Sequence, residues 1–282
     1  MSSVGLVLEG GAMRGLFTAG VLDVLMENGV TIPDVVGVSA GAAFGCNYKS
    51  GQIGRVLRYN LKYCKDKRYC SVTSLLRTGD MFGAEFCYRT IPFELDPFDV
   101  ETYNRSPMVF RVVATDVLTG KPVYQRLDRV DDDCMEWIRA SASMPMVSHA
   151  VKVGGHTLLD GGMSDSIPLR YMEQQGCEKN VVVLTRPRAY RKSPENLLPL
   201  RVFLRKYPAM IAVMKNRHIA YQYQRDYVFA RERAGGAFVI CPDEPLEIGR
   251  VEHDPLKIAC AYEVGRQTML KRLGDLHSFL ES

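Results

Sequence analysis

Apolar positions near the start of the chain come in short runs separated by glycine-rich turns. Ser3-Val4-Gly5-Leu6-Val7-Leu8 is apolar, partly β-branched, and runs into Gly10-Gly11. This predicts a buried strand ending in a tight loop. Leu16, Phe17, Ala19, Gly20, Val21, Leu22, Val24, Leu25 and Met26 then form a broad apolar face at helical spacing, stopped by Glu27-Asn28-Gly29. Gly29 suits the left-handed position after a helix. Asp34-Val35-Val36-Gly37-Val38 reads as a second buried strand that turns abruptly through Ser39-Ala40-Gly41 into another helix. Strand, helix, strand, helix in some fifty residues predicts an α/β fold with a parallel sheet.

Further strands are expected at Met108–Ala114, Lys121–Arg126, Val151–Leu159 and Val181–Thr185, the first two pairing through Asp116–Gly120. Residues 195–233 are predicted helical, with Pro199 and Pro208 as breaks. A strand at Ala237–Cys241 and a helix over Pro255–Phe279 close the chain. Because a strand returns after it, 186–233 is read as an insertion or cap between a motif-bearing core (4–185) and a closing strand and helix (236–282), all within one domain spanning 1–282.

Composition adds exclusions. With 282 residues, 46% hydrophobic and 24% charged, the chain is of ordinary globular type and can bury a sizeable core. It contains no apolar run of about eighteen residues, which excludes a transmembrane helix. The opening residues lack the basic start and apolar stretch of a secretory signal, so a cytoplasmic location is expected. Eight cysteines without a Cys-x-x-Cys spacing suggest reduced, buried thiols and no zinc site. The net charge of +4 is uneven: 186–233 holds twelve Lys or Arg against Glu195, Asp226 and Glu232. That segment is either a set of solvated helix faces or a contact surface for anionic lipid at the inner face of a membrane. No nucleic-acid partner is expected.

Three stretches carry candidate chemistry. Gly37-Val38-Ser39-Ala40-Gly41 is a G-x-S-x-G pentapeptide between a predicted strand and helix, the context of a nucleophile elbow. There a sharp turn thrusts the serine out, and the helix start offers N–H groups to a developing oxyanion. Glu9-Gly10-Gly11-Ala12-Met13-Arg14-Gly15 sits at another strand-to-helix junction, where glycines let N–H groups approach an anion. It lacks both the G-x-G-x-x-G and the Gly-Lys-Ser/Thr signatures, so an oxyanion hole is preferred to a phosphate cradle. Asp160-Gly161-Gly162 follows a predicted strand, placing a carboxylate where strand ends share a crevice.

Together and in this order, these stretches closely resemble the patatin-like phospholipase family of lipid acyl hydrolases. Its oxyanion motif matches Gly10, Gly11, Arg14 and Gly15; its G-x-S-x-G matches Gly37–Gly41; its D-G-[AG] matches Asp160, Gly161 and Gly162. Arg139-Ala140-Ser141-Ala142-Ser143-Met144-Pro145 is similar to a further family block, and Asp116 lies in a familiar strand and turn. The resemblance implies a three-layer α/β/α sandwich and a dyad: Ser39 as nucleophile, Asp160 as base. An oxyanion hole is expected from Gly10, Gly11, Ala12, Arg14 and Gly15, with no metal or cofactor. Lipid esters are the expected substrates; a soluble esterase or thioesterase, or a silent lipid-binding protein, are the alternatives. By residue pattern alone, His149, His156, His218, His253 and His277 leave a triad open, and Asp165 is the reserve acid.

Overall fold

The structure, a computed structural model, describes residues 3–282. Eight strands form one mixed sheet: β1 (Ser3–Leu8), β2 (Asp34–Val38), β3 (Val109–Asp116), β4 (Pro122–Arg126), β5 (Val151–Val153), β6 (His156–Asp160), β7 (Cys177–Val183) and β8 (Ala237–Ile240). The order is β5-β6-β3-β2-β1-β7-β8, with β4 paired to β3. The β3-β2-β1-β7-β8 ribbon is parallel, and β4, β5 and β6 add antiparallel pairs at one side.

Helices are α1 (Gly15–Glu27), α2 (Ala40–Lys49), α3 (Arg55–Tyr63), α4 (Val72–Thr78), α5 (Val100–Arg105), α6 (Cys134–Ala142), α7 (Leu169–Gln174), α8 (Leu197–Phe203), α9 (Pro208–Arg233) and α10 (Pro255–Glu281). The alternation of the buried strands sorts these into layers. Leu6, Leu8, Val35, Phe110 and Val181 face α1, α2, α6 and α10. Val7, Val36, Val113, Val182 and Val239 face the opposite way, toward α7 and α9. The result is a three-layer α/β/α arrangement. Gly29, at φ 68°, ends α1 in the left-handed conformation expected of it.

The structure departs from sequence expectation in three places. Val151–Leu159 is not one strand but the β5–β6 hairpin, because Gly154 and Gly155 (φ 56° and 77°) make a turn that L-residues adopt poorly. Pro199 does not break its helix: it is the third residue of α8, where its missing N–H costs no intrahelical bond, and Asn196 caps the start. Cys260 is exposed and Cys87 half-buried, although the other six cysteines are buried as expected. The basic 186–233 segment supplies α8 and α9, and α9 belongs to the second helical layer, lying along β8.

Candidate active site

Register brings the motif residues together. Val38 pairs with Val113, and the next β3 residue, Ala114, pairs with Asp160. Ser39, one step beyond Val38, therefore meets Asp160 at the same level along one edge of β3, while β4 occupies the opposite edge. Asp160 reaches this level from an antiparallel strand, not from a parallel strand end as the sequence suggested.

Ser39 has φ 55° and ψ −119°, a conformation that costs an L-residue about 1–3 kcal/mol. Specific contacts hold it there. The Ser39 N–H donates to Ser141 Oγ (2.9 Å), and that hydroxyl donates to the Val113 carbonyl (2.6 Å). The next turn secures the acid: the Asp160 N–H donates to the Ser143 carbonyl (2.8 Å), and Thr115 Oγ1 donates to the Asp160 carbonyl (2.8 Å). The 139–145 block thus binds both halves of the site, a role its sequence alone did not disclose. Gly161 crosses so closely over β3 that a β-carbon would stand 2.1 Å from the Val113 carbonyl oxygen.

Asp160 is buried, and Oδ1 accepts the Gly162 N–H at 2.7 Å. Burial pushes its carboxyl above the usual carboxylate range. The Ser39 side chain as hydrogen-bond donor, the Arg217 charge and the Gly162 N–H pull it back only in part. Arg217 is itself fixed, its Nε donating to the Gly162 carbonyl and its guanidinium pairing with Glu195, each at 2.7 Å.

The Gly10–Arg14 loop covers Ser39 from the other side. A β-carbon on Gly10 would stand 2.7 Å from the Ser39 β-carbon, so the loop can lie this close only with glycine there. Among the described residues, none accepts a hydrogen bond from the backbone N–H of Gly10, Gly11 or Ala12. Buried Glu9 anchors the loop. It accepts from the Thr185 N–H (2.6 Å) and from the Tyr221 hydroxyl, while Thr185 Oγ1 donates to the Gly10 carbonyl (2.9 Å). The sequence reading gave Glu9, Thr185 and Tyr221 no anchoring role, because the contacts span 175 to 212 positions.

Two cavities meet at Ser39. One is mainly apolar, walled by Phe44, Tyr59, Phe82, Tyr88, Ile91 and Ile138 among others. The second is polar and holds Asp160 and the Gly10–Gly11 backbone beside several cationic side chains. Ser39, Ala12 and Met144 line both. Arg14 faces the polar cavity, its guanidinium pushed down to about 10 by burial and by the neighbouring Arg186 and Arg250 charges, against the pull of Glu9.

Several predicted residues stand back from the cavities. Gly37 and Gly41 flank Ser39 at the end of β2 and the start of α2, and Gly15 opens α1. No histidine lines either cavity among the described residues. His156 contacts Asp116 (2.9 Å), His253 the Cys64 carbonyl (2.5 Å), and His149 lies 3.8 Å from Asp80. Asp165 is engaged elsewhere, by Tyr124 (2.6 Å) and Gln224 (3.0 Å).

The family profile described as Patatin-like phospholipase matches residues 6–172, and one described as a domain of unknown function (DUF6363) matches 207–281. The uncharacterized protein YjjU of Escherichia coli (strain K12) is 28% identical over 262 residues, covering 86% of this chain and 69% of that protein. Lysophospholipase NTE1 of Kluyveromyces lactis is 28% identical over 186 residues, 62% of this chain but 12% of its own length. An uncharacterized NTE family protein of Mycobacterium tuberculosis (strain CDC 1551 / Oshkosh) is 28% identical over 59% of this chain and 44% of its own length. Among solved structures, VipD from Legionella pneumophila superposes with a TM-score of 0.49 at 14% identity, covering 98% of this chain and 67% of that one.

Proposed function

Because the chain belongs to the patatin-like phospholipase family, we propose that it is a serine lipid acyl hydrolase working through a Ser39–Asp160 dyad. The observation that carries this reading is the placement of a strained serine, beside a buried carboxylate, at the seam of an apolar and a polar cavity. An acyl chain fits the first and the remainder of a lipid ester the second.

In this reading Asp160 takes the hydroxyl proton as Ser39 Oγ attacks the ester carbonyl carbon. The carbonyl oxygen becomes an oxyanion facing the free N–H groups of Gly10, Gly11 and Ala12. Collapse of the intermediate breaks the ester C–O bond; the alcohol leaves with the proton held by Asp160, and an acyl-enzyme remains. Water, deprotonated by Asp160, attacks this acyl group, the Ser39 oxygen recovers the proton, and the fatty acid departs. A carboxyl held above the usual carboxylate range is a better base than an exposed aspartate, and burial supplies that.

Peripheral contact with an anionic membrane is part of the same proposal. On α8, Leu198, Val202 and Phe203 are exposed beside exposed Arg201, and Arg205 and Lys206 follow. Such a mixture suits a lipid interface. No helix among the described residues is long and apolar enough to cross a membrane.

The test is fatty-acid release from a monoacyl phospholipid by wild type, Ser39→Ala, Asp160→Asn and the five single His→Ala variants. The dyad requires that the first two substitutions abolish release and that every histidine variant keep most of it. A folded histidine variant as inactive as Ser39→Ala would contradict it.

A further inference from the structure

We propose that the polar cavity beside Ser39 is a head-group site for an anionic, phosphomonoester-bearing lipid, held by Arg14, Arg186, Lys192, Arg217 and Arg250. The inference rests on the hydrolase reading above and narrows its substrate class.

Five cations converge on this cavity from four parts of the chain: Arg14 after β1, Arg186 and Lys192 in the β7–α8 connection, Arg217 in the middle of α9 and Arg250 in the loop before α10. Their neutralisation is incomplete. Glu195 serves both Arg217 (2.7 Å) and Lys192 (3.3 Å). Glu9 is occupied by Thr185 and Tyr221, and Asp160 by Gly162 and the serine. Among the described residues, Arg14, Arg186 and Arg250 form no ion pair. Arg14 Nε is buried without any hydrogen-bond partner. An unpaired buried donor carries a desolvation cost that an entering anion would remove.

The same cavity argues against a choline-type head group. Such a cation favours an open aromatic face, and cations already lie over both rings that line the cavity: Arg186 is 4.5 Å from the Tyr190 centroid and Lys192 5.8 Å from that of Tyr221. A phosphomonoester instead brings nearly two negative charges and three acceptor oxygens, which suits guanidinium forks. Because Ser39 lies between the cavities, a carbonyl at Ser39 with its chain among the apolar residues leaves its phosphate among these cations. Arg186, Lys192 and Arg217 all belong to the strongly basic 186–233 segment, so part of that charge excess serves the site and not only the surface.

The experiment compares kcat/KM, at fixed ionic strength and below micelle formation, for three monoacyl substrates with the same chain. One carries glycerol 3-phosphate, one glycerophosphocholine and one glycerol alone, with a nitrophenyl ester of that chain as head-group-free reference. The phosphomonoester should lead the other glycerol esters by about tenfold or more, the scale of one lost charged hydrogen bond. Arg186→Gln and Arg250→Gln, with thermal midpoints recorded, should lower the ratio of phosphomonoester to nitrophenyl ester by about tenfold each. Glycerol 3-phosphate should compete more strongly than inorganic phosphate; equal inhibition would mark a free-anion site and overturn the head-group assignment. Equal rates on all three glycerol esters would also overturn it, while leaving the hydrolase intact. Absence of acyl release from every substrate, the nitrophenyl ester included, would sink the hydrolase reading and this one with it.

Discussion

Ser141 offers a sharp test of how the elbow is held, because its side chain has no contact with solvent. Among the described residues, its hydroxyl alone links the Ser39 N–H (2.9 Å) to the Val113 carbonyl (2.6 Å). Ser141→Ala removes that link and leaves a donor and an acceptor unmatched in the interior. Each such orphan costs about 1–3 kcal/mol, so a total of roughly 2–4 kcal/mol is expected after partial relaxation. At about 2–4 °C per kcal/mol for a chain of this size class, the midpoint of thermal unfolding should fall by roughly 5–12 °C. Activity should fall further than stability. Without the bond to its N–H, Ser39 can relax from φ 55° toward an ordinary conformation and carry Oγ away from Asp160. Misplacement by about 1 Å costs on the order of 10²-fold in turnover. Ser143→Ala is the comparison, since Ser143 Oγ only donates back to the Arg139 carbonyl at the end of α6 (2.8 Å). It should cost less than about 1 kcal/mol. The assay pairs calorimetric unfolding with kcat/KM on a soluble nitrophenyl ester well below the midpoint. If Ser141→Ala loses stability but keeps kcat/KM within a few-fold of wild type, the hydroxyl is not what sustains the elbow.

Three further outcomes follow from the electrostatics. Burial raises the Asp160 carboxyl above its unfolded value, so between those two values the folded state binds more protons and stability falls as pH rises. Asp160→Asn should therefore be inactive yet gain in thermal midpoint relative to wild type more at pH 7 than at acid pH; an equal difference at both would contradict the assignment. Arg217→Gln removes a positive charge that lowers the Asp160 carboxyl, so the acid limb of kcat/KM should move to higher pH, and an unmoved limb would count against Asp160 as the base. Vesicle binding through α8 should weaken with added salt and with Val202→Glu, since exposed charges are screened over about 8–10 Å at ordinary ionic strength; sedimentation with mixed anionic vesicles measures it, and salt-insensitive binding would remove α8 from the interface.

How much of this was legible beforehand depended on whether the controlling physics was local. β1, α1, β2 and the Ser39 turn could be read directly, because glycines and apolar runs there act within a few residues. The hairpin at Gly154-Gly155 was read as one strand because two glycines interrupt the apolar pattern without reversing its tone. No element or site residue was predicted within residues 50–107, yet Arg55, Tyr59, Phe82 and Tyr88 wall the apolar cavity. Cavity-lining aromatics and core aromatics share one composition, and only the fold separates them. The π-helical stretch Phe86–Leu95, with Pro92 inside it, likewise had no sequence signal. The polar cavity was hidden for a different reason: Arg14 and Arg250 stand at opposite ends of the chain, and the charge excess of 186–233 pointed to a surface, not to a site.

The central claim is that Ser39 is a nucleophile made reactive by its elbow and by Asp160. A fluorophosphonate probe followed by peptide mapping measures this directly, because the reagent modifies an activated serine hydroxyl covalently and leaves ordinary serines untouched. Stoichiometric modification of Ser39 is expected in the wild-type protein, with strong slowing in Asp160→Asn and none in Ser39→Ala. Folded wild-type protein that stays unmodified at Ser39, or that is modified at another serine instead, would contradict it.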